Sequence, residues 1–436
     1  MRRASIPLTL ACTIVSGLAL SAVPARAQAE IESITREEAI RLALERSPAA
    51  VGARGDTRVA EAGLMEARGA WLPSLNANTG YSKSSNTRFD QATGQLVSEN
   101  YTAQLAATYD LFTGGRKLAN WQSASASLRA AEARERGQRY GTILETTRIF
   151  YEAAAAEELL TAARQRLDRA TRQQEFAETR RLLGTATRSD ALRAELEQAD
   201  AELAVLDAEA QLRTARLALG RQVGRTGGVR PVAGALPEEP PAIPPVETLV
   251  RRAEENAPLA VAARAEFDRT KSEKREAWGQ FVPTLRLTGG YDWFSFRWPP
   301  DEESWSLRLT ASMPLFNGFT REANLARAEA ERRTAEAETR DAVLLARALV
   351  EDTAGRIDTA ARRVGIARRA VELAREDLRV IEERYQLGAA TILDLQTSQI
   401  ALADAEVEWV RARQALGVAV TALEAELGEP LTEISG

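Results

Sequence analysis

The sequence predicts a membrane protein of the α+β class, with four antiparallel strands that cross the membrane and two long helical hairpins that extend from them. Three observations support this fold. The chain contains the same order of elements twice, each half carries two runs of alternating apolar and polar residues, and each half carries a very long stretch without proline. Alternation with a period of two indicates strands, whereas long proline-free stretches with helical apolar spacing indicate helices.

The first 27 residues have the pattern of an export signal. An arginine pair precedes a long apolar run, and Ala25-Arg26-Ala27 supplies the small residues of a cleavage site. We therefore expect a signal peptide at 1–27 and a mature chain that begins near Gln28. Lipidation of Cys12 is the alternative, and the poor cleavage box before this cysteine disfavours it.

Composition excludes several kinds of active site. Histidine is absent and the one cysteine lies in the signal, so disulfides, thiolate sites and histidine bases are excluded, and we expect no cofactor and no metal site. The net charge is −5 with both signs interleaved, which favours solvated helix faces and gives no indication of nucleic-acid binding. No mature segment offers the ~18 uncharged apolar residues of a membrane helix, so a membrane crossing would require a closed barrel.

An internal repeat organises the mature chain. A shift of 210 residues superimposes 39–81 on 249–291, and a shift of 204 superimposes 101–133 on 305–337. The identical pairs include Arg41/Arg251, Pro48/Pro258, Gly69/Gly279, Pro73/Pro283, Tyr81/Tyr291, Leu111/Leu315, Phe112/Phe316 and Gly114/Gly318.

The repeat and a linker set the predicted domains. The stretch at 230–245 is rich in proline, as is typical of a linker. It separates a first repeat at 28–229 from a second repeat at 246–436. The six-residue difference between the two shifts falls between Tyr81 and Tyr101, which predicts a longer loop in the first repeat.

Each repeat is predicted to begin with a helix and continue with a strand pair. The helices span 34–70 and 245–280, and the strand pairs lie at about 74–112 and 284–316. In the strands one face is apolar and the other is polar, which also fits a half-buried sheet of a soluble domain. Three features favour a barrel wall instead. The runs have about the length of membrane strands, aromatic residues lie near their ends, and four strands are too few to close a barrel, so several copies must contribute.

Two very long helical hairpins follow the strand pairs. Residues 116–183 and 320–387 contain no proline, so each can form a helix of about 100 Å. The return helix of the first hairpin carries apolar residues at spacings of four and three, which predicts a coiled-coil contact inside the hairpin. These residues are Leu192, Leu196, Ala199, Leu203, Leu206 and Ala210. For the helices alone, a structural coiled coil is a serious alternative.

The turns of the two hairpins carry the same motif. Residues 180–190 read Arg-x-x-Leu-Gly-x-Ala-Thr-x-x-Asp, and residues 384–394 repeat this pattern. The glycine suits the left-handed position that ends a helix, and Thr-x-x-Asp forms a capping box that begins the next one. Helix capping alone explains these residues, so a functional role would be additional.

The tips, the repeat and the Leu-Phe-x-Gly sequences after the strands resemble the TolC-type outer-membrane efflux family over essentially the whole mature chain. This resemblance implies a homotrimer in a Gram-negative outer membrane, with a twelve-stranded barrel in the lipid and a twelve-helix barrel in the periplasm. It implies an export channel without enzymatic activity, serving an efflux pump in preference to type I protein secretion. The implied partners are a periplasmic adaptor, or membrane fusion protein, and indirectly an inner-membrane transporter.

The resemblance also assigns roles at the tips. It implies a periplasmic gate in which Tyr385 pairs with Asp190 and Asp394 rings the entrance. Ala390 and Thr397 stand where the best-known member has a bridging arginine and a second ring aspartate, so the gate contacts must differ. A packed helix residue near its cap is the alternative for Tyr385. The implied adaptor-docking residues are Leu183, Gly184, Thr187, Leu387, Gly388 and Thr391.

Two other classes of protein remain as alternatives. A periplasmic adaptor also has an export signal and a coiled-coil hairpin, but it would carry one hairpin beside a β-rich region, whereas this chain has the hairpin and strand pair twice. An exported structural coiled coil without a pore is possible if the strands never enter lipid. A passive porin would need many more strands in each chain.

Overall fold

The computed structural model describes residues 33–89, 94 and 96–431. The predicted signal peptide at 1–27 lies outside these residues. Within them, each repeat consists of a two-residue strand, two shorter helices, two longer strands and two long helices.

The elements of the first repeat follow one another in a simple order. They are β1 (Ser33–Ile34), α1 (Arg36–Arg46), α2 (Pro48–Gly69), β2 (Ser74–Phe89), β3 (Leu96–Phe112), α3 (Arg116–Leu182) and α4 (Arg188–Gln222). The helices α3 and α4 form the first hairpin.

The second repeat has the same order, and its first strand lies at the start of the predicted linker. Its elements are β4 (Arg230–Pro231), α5 (Val246–Asn256), α6 (Pro258–Gly279), β5 (Thr284–Ser295), β6 (Glu302–Ser312), α7 (Thr320–Gln386) and α8 (Ile392–Leu427). The helices α7 and α8 form the second hairpin, and the short strands β1 and β4 pair in parallel.

Each helix predicted to open a repeat is two helices in the structure. The chain leaves the helical conformation at Ser47 and at Ala257, directly before Pro48 and Pro258. A residue before proline is disfavoured in the helical region, and proline is favoured at the start of a helix because it has no N–H to leave unpaired there. The prediction of one continuous helix in each repeat was therefore wrong.

The long strands form one antiparallel sheet in the order β2-β3-β5-β6. The two repeats meet between β3 and β5, where Leu105 lies opposite Tyr291. The strands β2 and β6 lie at the two edges, and within the described residues no further strand pairs with them. An edge strand leaves a row of N–H and C=O groups unpaired along one side.

The first repeat has longer strands than predicted. The strands β2 and β3 contain 16 and 17 residues, whereas β5 and β6 contain 12 and 11. The predicted explanation for the extra residues of the first repeat, a longer loop, was therefore incomplete because these residues also lengthen the strands.

The hairpins dominate the molecule. The helices α3 and α7 contain 67 residues each, about 100 Å at ~1.5 Å per residue. Besides its partner α4, α3 contacts α2, α6 and α8, whereas α7 contacts α5, α6 and α8. Among the residues that the structure describes, none of the helices is both long and apolar enough to cross a membrane.

The apolar stripe predicted to hold the first hairpin together faces away from it. Its leucines are 53% to 62% exposed, namely Leu192, Leu196, Leu203 and Leu206. The buried face of α4 carries smaller side chains in its first half, namely Ala194, Glu197 and Ala201, and then Leu212, Ala215 and Leu219. Spacing identifies an apolar stripe but not the neighbour that covers it, so the assignment of this stripe to the hairpin was wrong.

Candidate functional site at the hairpin tips

The two hairpin tips have the same backbone geometry. In the first tip Gly184 has a φ of 71°, and the Thr185 N–H donates to the Arg180 carbonyl oxygen over 2.9 Å. In the second tip Gly388 has a φ of 77°. Residues with a Cβ rarely adopt such a positive φ, so both turns require glycine to reverse the chain within a few residues.

A capping box begins each return helix. The Thr187 hydroxyl accepts from the Asp190 N–H (3.2 Å), and the Asp190 carboxylate accepts from the Thr187 N–H (3.0 Å). Thr391 and Asp394 repeat both bonds at 3.2 and 2.9 Å. These bonds satisfy backbone N–H groups that a helix start leaves without intrahelical partners.

Each tip presents an apolar side chain and a threonine to the solvent. Leu183 is 73% exposed and Leu387 is 85% exposed, and Thr187 and Thr391 are exposed beside them. The predicted docking residues therefore lie together at the end of each hairpin, where another protein can reach them. Adaptor docking at these residues stays a prediction.

Tyr385 is buried between the hairpins at the second tip. It is 5% exposed, and its ring meets the edge of Phe176 on α3 with the centroids 6.0 Å apart. Burial raises the pKa of the Tyr385 hydroxyl, an effect that the Arg180 cation opposes and the nearby Asp190 carboxylate reinforces. In the described part of the chain the hydrogen bonds of that carboxylate go to Thr187, and the pairing of Tyr385 with Asp190 in a gate stays a prediction.

Asp394 is exposed and charged at neutral pH. The Thr391 N–H and hydroxyl donate to its carboxylate and lower its pKa below the ordinary 3.8, and Arg384 adds to this effect. Thr397, one turn along α8, is exposed and donates its hydroxyl to the Leu393 carbonyl over 2.8 Å. The carboxylate is thus available to an entrance ring, although its observed bonds are those of a helix cap.

Arg180 links the two hairpin tips, and the sequence analysis did not single it out. Its guanidinium donates to the Tyr385 carbonyl oxygen over 3.1 Å and lies 5.7 and 5.6 Å from the Phe176 and Tyr385 ring centroids. Cation–π contacts of this kind add to the hydrogen bond. The signal available in the sequence was Phe176, one turn before Arg180, because the second repeat has Val380 at that place.

Arg384, which occupies the position of Arg180 in the second tip, makes a different contact. Arg384 donates to Ala389 within its own turn, over 3.3 Å. A second bridge between the hairpins comes from Gln396 on α8, whose amide donates to the Arg193 carbonyl of α4 over 3.0 Å. The tips of one chain are therefore joined by Arg180 and Gln396, and neither residue was predicted to do so.

A further cross-link lies midway along the hairpins. Arg413 of α8, with 6% of its side chain exposed, donates to Glu158 of α3 and to the Leu236 carbonyl of the linker, both over 2.8 Å. Burial raises the pKa of Glu158, and Arg413 opposes this shift. One cation thereby holds both hairpins and the linker together.

The sequence profile of outer membrane efflux proteins matches residues 39–225 and 249–429, one range in each repeat. The chain belongs to this family. Its members are outer membrane channels, and the family together with the fold confirms the predicted TolC-like protomer. It also confirms the predicted location in the outer membrane of a Gram-negative bacterium, with the helices extending into the periplasm.

Two relatives of the outer membrane efflux protein family are similar over much of the sequence. Protein CyaE of Bordetella pertussis is 30% identical over 320 residues, 70% of this chain and 65% of that protein. The cobalt-zinc-cadmium resistance protein CzcC of Cupriavidus metallidurans is 28% identical over 282 residues, 62% of this chain and 63% of that protein. The chain thus spans just under two thirds of the length of each relative.

A solved structure gives the same fold over nearly the whole chain. The outer membrane protein VceC of Vibrio cholerae has a TM-score of 0.75 and 21% sequence identity, covering 91% of this chain and 96% of that one. The helical hairpins and the strand pairs of this chain are therefore the ordinary protomer of an outer membrane efflux protein.

Proposed function

We propose that three copies of this chain form a channel that exports small molecules from the periplasm across the outer membrane. The observation that carries this proposal is the four-stranded sheet with unpaired edges on β2 and β6. In lipid every backbone N–H and C=O needs a protein partner, so an open sheet has to be closed by other strands. Three copies supply twelve strands, which is within the range of membrane barrels.

In this proposal the protein provides a channel and catalyses no reaction. Transport energy comes from an inner-membrane transporter, and the barrel and the helical tube provide a water-filled route whose lining sets what passes. Efflux is favoured over polypeptide export because the family is one of efflux proteins. A metal cargo would not need ligands on this chain, which contains no histidine.

The hairpin tips serve as the docking site of a periplasmic adaptor. Leu183 and Leu387 offer exposed apolar contacts at the same place on two similar hairpins. An adaptor with a helical hairpin of its own would meet the same Leu-Gly-x-x-Thr surface on each hairpin in turn. Docking opens the channel if the adaptor binds the open tips more tightly than the closed ones.

In the closed state the tips are held by contacts between hairpins. The clasp of Arg180 with Tyr385 and Phe176 takes the place of the bridging arginine that the resemblance implied at Ala390. Asp394 supplies a ring of negative charge, one from each copy, at the entrance. Opening then requires the Arg180 contacts to break or the hairpins of different copies to separate.

Two experiments test this function. Purified protein inserted into planar lipid bilayers should give discrete conductance steps, whereas an adaptor or a structural coiled coil should give none. A photo-cross-linking residue at Thr391 should capture a periplasmic adaptor in cells, while the same residue at Arg356, exposed on the middle of α7, should not. Absence of conductance from a membrane-extracted preparation, or equal capture at both positions, would contradict the proposal.

A further inference from the structure

A groove between α3 and α6 lies far from the hairpin tips and near the strands. Its walls include Trp121, Gln122 and Arg129 of α3 and Lys271 and Arg275 of α6, and its volume is about 250 Å³. We call it the α3–α6 groove. Because both walls belong to the same chain, one copy of the protein contains the whole groove.

Two cations of the α3–α6 groove have no acidic partner. Lys271 and Arg275 are both exposed. In the described part of the chain Arg275 donates to the Gln122 side-chain oxygen over 2.9 Å, and neither cation forms an ion pair. The acid of the groove, Asp268, is already paired with Arg129 over 3.2 Å. The groove therefore carries two positive charges that are available to an anion.

The α3–α6 groove lies on the same side of the chain as the apolar face of the sheet. Lys117 precedes Trp121 by one turn of α3, and its ammonium nitrogen lies 4.7 Å from the centroid of the Tyr109 ring. Tyr109 belongs to the apolar face of β3. Residues four apart share one face of a helix, so Trp121 points to the same side. In a membrane barrel the apolar face meets lipid, which places the groove on the outer surface of the proposed channel.

The cations lie at the depth of lipid headgroups when the strands occupy the hydrocarbon core. The helix α6 ends at Gly279 and β5 begins at Thr284, so Arg275 lies about 6 Å and Lys271 about 12 Å from the end of the helix. The headgroup layer is roughly 5 to 8 Å thick on each side of a bilayer, and long cationic side chains can extend toward it. Trp278, 56% exposed, lies between these cations and the strands, as is typical of the membrane interface.

The first repeat does not carry the same residues on α2. Lys271, Arg275 and Trp278 follow one another at spacings of four and three, which places them on one face of α6. A shift of 210 residues gives their counterparts in α2, which are an acid, an apolar residue and a cation, namely Glu61, Met65 and Arg68. The repeated architecture therefore does not explain the cations of α6, whereas a ligand of the α3–α6 groove does.

We propose that the α3–α6 groove binds the phosphate of a phospholipid in the membrane leaflet that faces the periplasm. Arg275, oriented by Gln122, and Lys271 donate to the phosphate oxygens, and Trp121 and Trp278 pack against the glycerol and the first part of the acyl chains. Hydrogen bonds from cations to phosphate are charge-assisted and strong, and basic pockets at a membrane surface recognise headgroups. The inference goes beyond the proposed function and rests on it for the face of the sheet that meets lipid.

Native mass spectrometry with added lipid tests this site. The wild-type protein in mild detergent, titrated with phosphatidylglycerol, should retain one lipid for each chain. The combined variant Lys271→Gln with Arg275→Gln should bind this lipid about tenfold more weakly, because each cation near the membrane surface contributes to headgroup binding. Diacylglycerol has the same chains and no phosphate, so neither protein should retain it.

Two further variants control for net charge and for folding. Arg172→Gln combined with Arg356→Gln removes the same charge from exposed positions far from the strands, and this protein should retain lipid like the wild type. Lys271→Arg keeps the charge inside the groove and should also retain lipid. The same mass spectra report the number of chains, which shows that each variant assembles like the wild type.

Three results would overturn the lipid site. The first is equal retention of phosphatidylglycerol by the wild type and by Lys271→Gln with Arg275→Gln, or an equal loss in the two combined variants. The second is retention of diacylglycerol as strong as that of phosphatidylglycerol. The third is displacement of the lipid by millimolar inorganic phosphate, which would make a free anion the ligand.

The outcomes separate this inference from the proposed function. A wild-type protein that retains the lipid but gives no conductance steps in planar bilayers would contradict the channel alone. Conductance steps from a wild-type protein that retains no phosphatidylglycerol would contradict the lipid site alone. We expect both conductance and retention in the wild type, and loss of retention when Lys271 and Arg275 are replaced together.

Discussion

At the scale of single residues, Arg413 on α8 is a buried cation that contacts three segments of the protomer. Arg413 has 6% of its side chain exposed and stacks over Trp409 with its guanidinium 4.8 Å from the ring. It joins Glu158 of α3 to the linker carbonyl of Leu236, so three segments distant in sequence depend on it. Breaking a buried pair leaves the other charge without a partner, which costs more than the pair contributes.

Replacement of this cation should therefore destabilise the protomer. We expect Arg413→Met to lower the free energy of unfolding by about 3 kcal/mol, because Glu158 would remain partly buried and unpaired. Urea titration followed by circular dichroism measures the change. Combining it with Glu158→Leu should recover most of the loss, and a double variant less stable than Arg413→Met would contradict this explanation.

Replacement of Arg180 should change the balance between closed and open tips. Arg180→Ala removes one hydrogen bond and two cation–π contacts of about 0.5 to 1 kcal/mol each, so the balance between closed and open tips should shift by about tenfold. Bilayer recordings without adaptor should show a higher resting conductance. Arg384→Ala is the control because Arg384 bonds within its own turn; the same increase in both variants would argue against a clasp.

At the scale of elements, the tips combine stable helix caps with exposed apolar ends. Each Thr-x-x-Asp box holds the start of a return helix, and each glycine allows the long helix to reverse. The caps restrict the backbone of the turns that carry the exposed residues Leu183 and Leu387. A backbone that is already restricted loses less conformational entropy on binding, which suits docking.

Loss of a helix cap should increase hydrogen exchange only near the start of that helix. Thr187→Ala removes the hydroxyl that accepts from the Asp190 N–H and should destabilise the start of α4 by about 1 kcal/mol. Hydrogen exchange should become faster in the first turns of α4 and remain unchanged at the equivalent turns of α8. Equal acceleration in both helices would mean that the effect is global and unrelated to the cap.

The second cap should also depend on pH. The pKa of Asp394 in the folded protein lies below its ordinary 3.8 because Thr391 donates to the carboxylate. The stabilisation is therefore complete above the unfolded pKa and is lost as the pH falls through the lower folded value. Protection of the first turn of α8 from hydrogen exchange should decrease below about pH 4. An Asp394→Asn protein that keeps the same pH dependence would contradict this assignment.

The sequence predicted the bounds of the long helices and their caps better than it predicted which helices pack against each other. Proline-free length predicted α3 and α7 almost to the residue, and Thr-x-x-Asp predicted both caps, because these signals are local. The stripe from Leu192 to Leu206 was assigned to the wrong neighbour because spacing does not identify the covering helix. Arg180 and Arg413 were missed for the same reason, since each contacts a residue more than 200 positions away along the chain.

At the scale of the whole molecule, a single chain leaves strand edges and apolar side chains without partners among the described residues. Within the residues that the structure describes, the sheet ends in two strands that each lack a partner on one side, and the leucine stripe on α4 is exposed. Inside the chain β3 of the first repeat pairs with β5 of the second, and we expect the edge strands of neighbouring copies to pair in the same way. In the proposed assembly, such pairing among three copies would close the sheet into a cylinder and bring the hairpins together into a tube.

The number of copies in the membrane form is the most direct test of this account. Native mass spectrometry of protein extracted from outer membranes in mild detergent measures it without assuming a function. We predict a complex of three chains, in which four strands from each copy make up a closed barrel. A complex of one chain that remains in the membrane fraction would contradict the account.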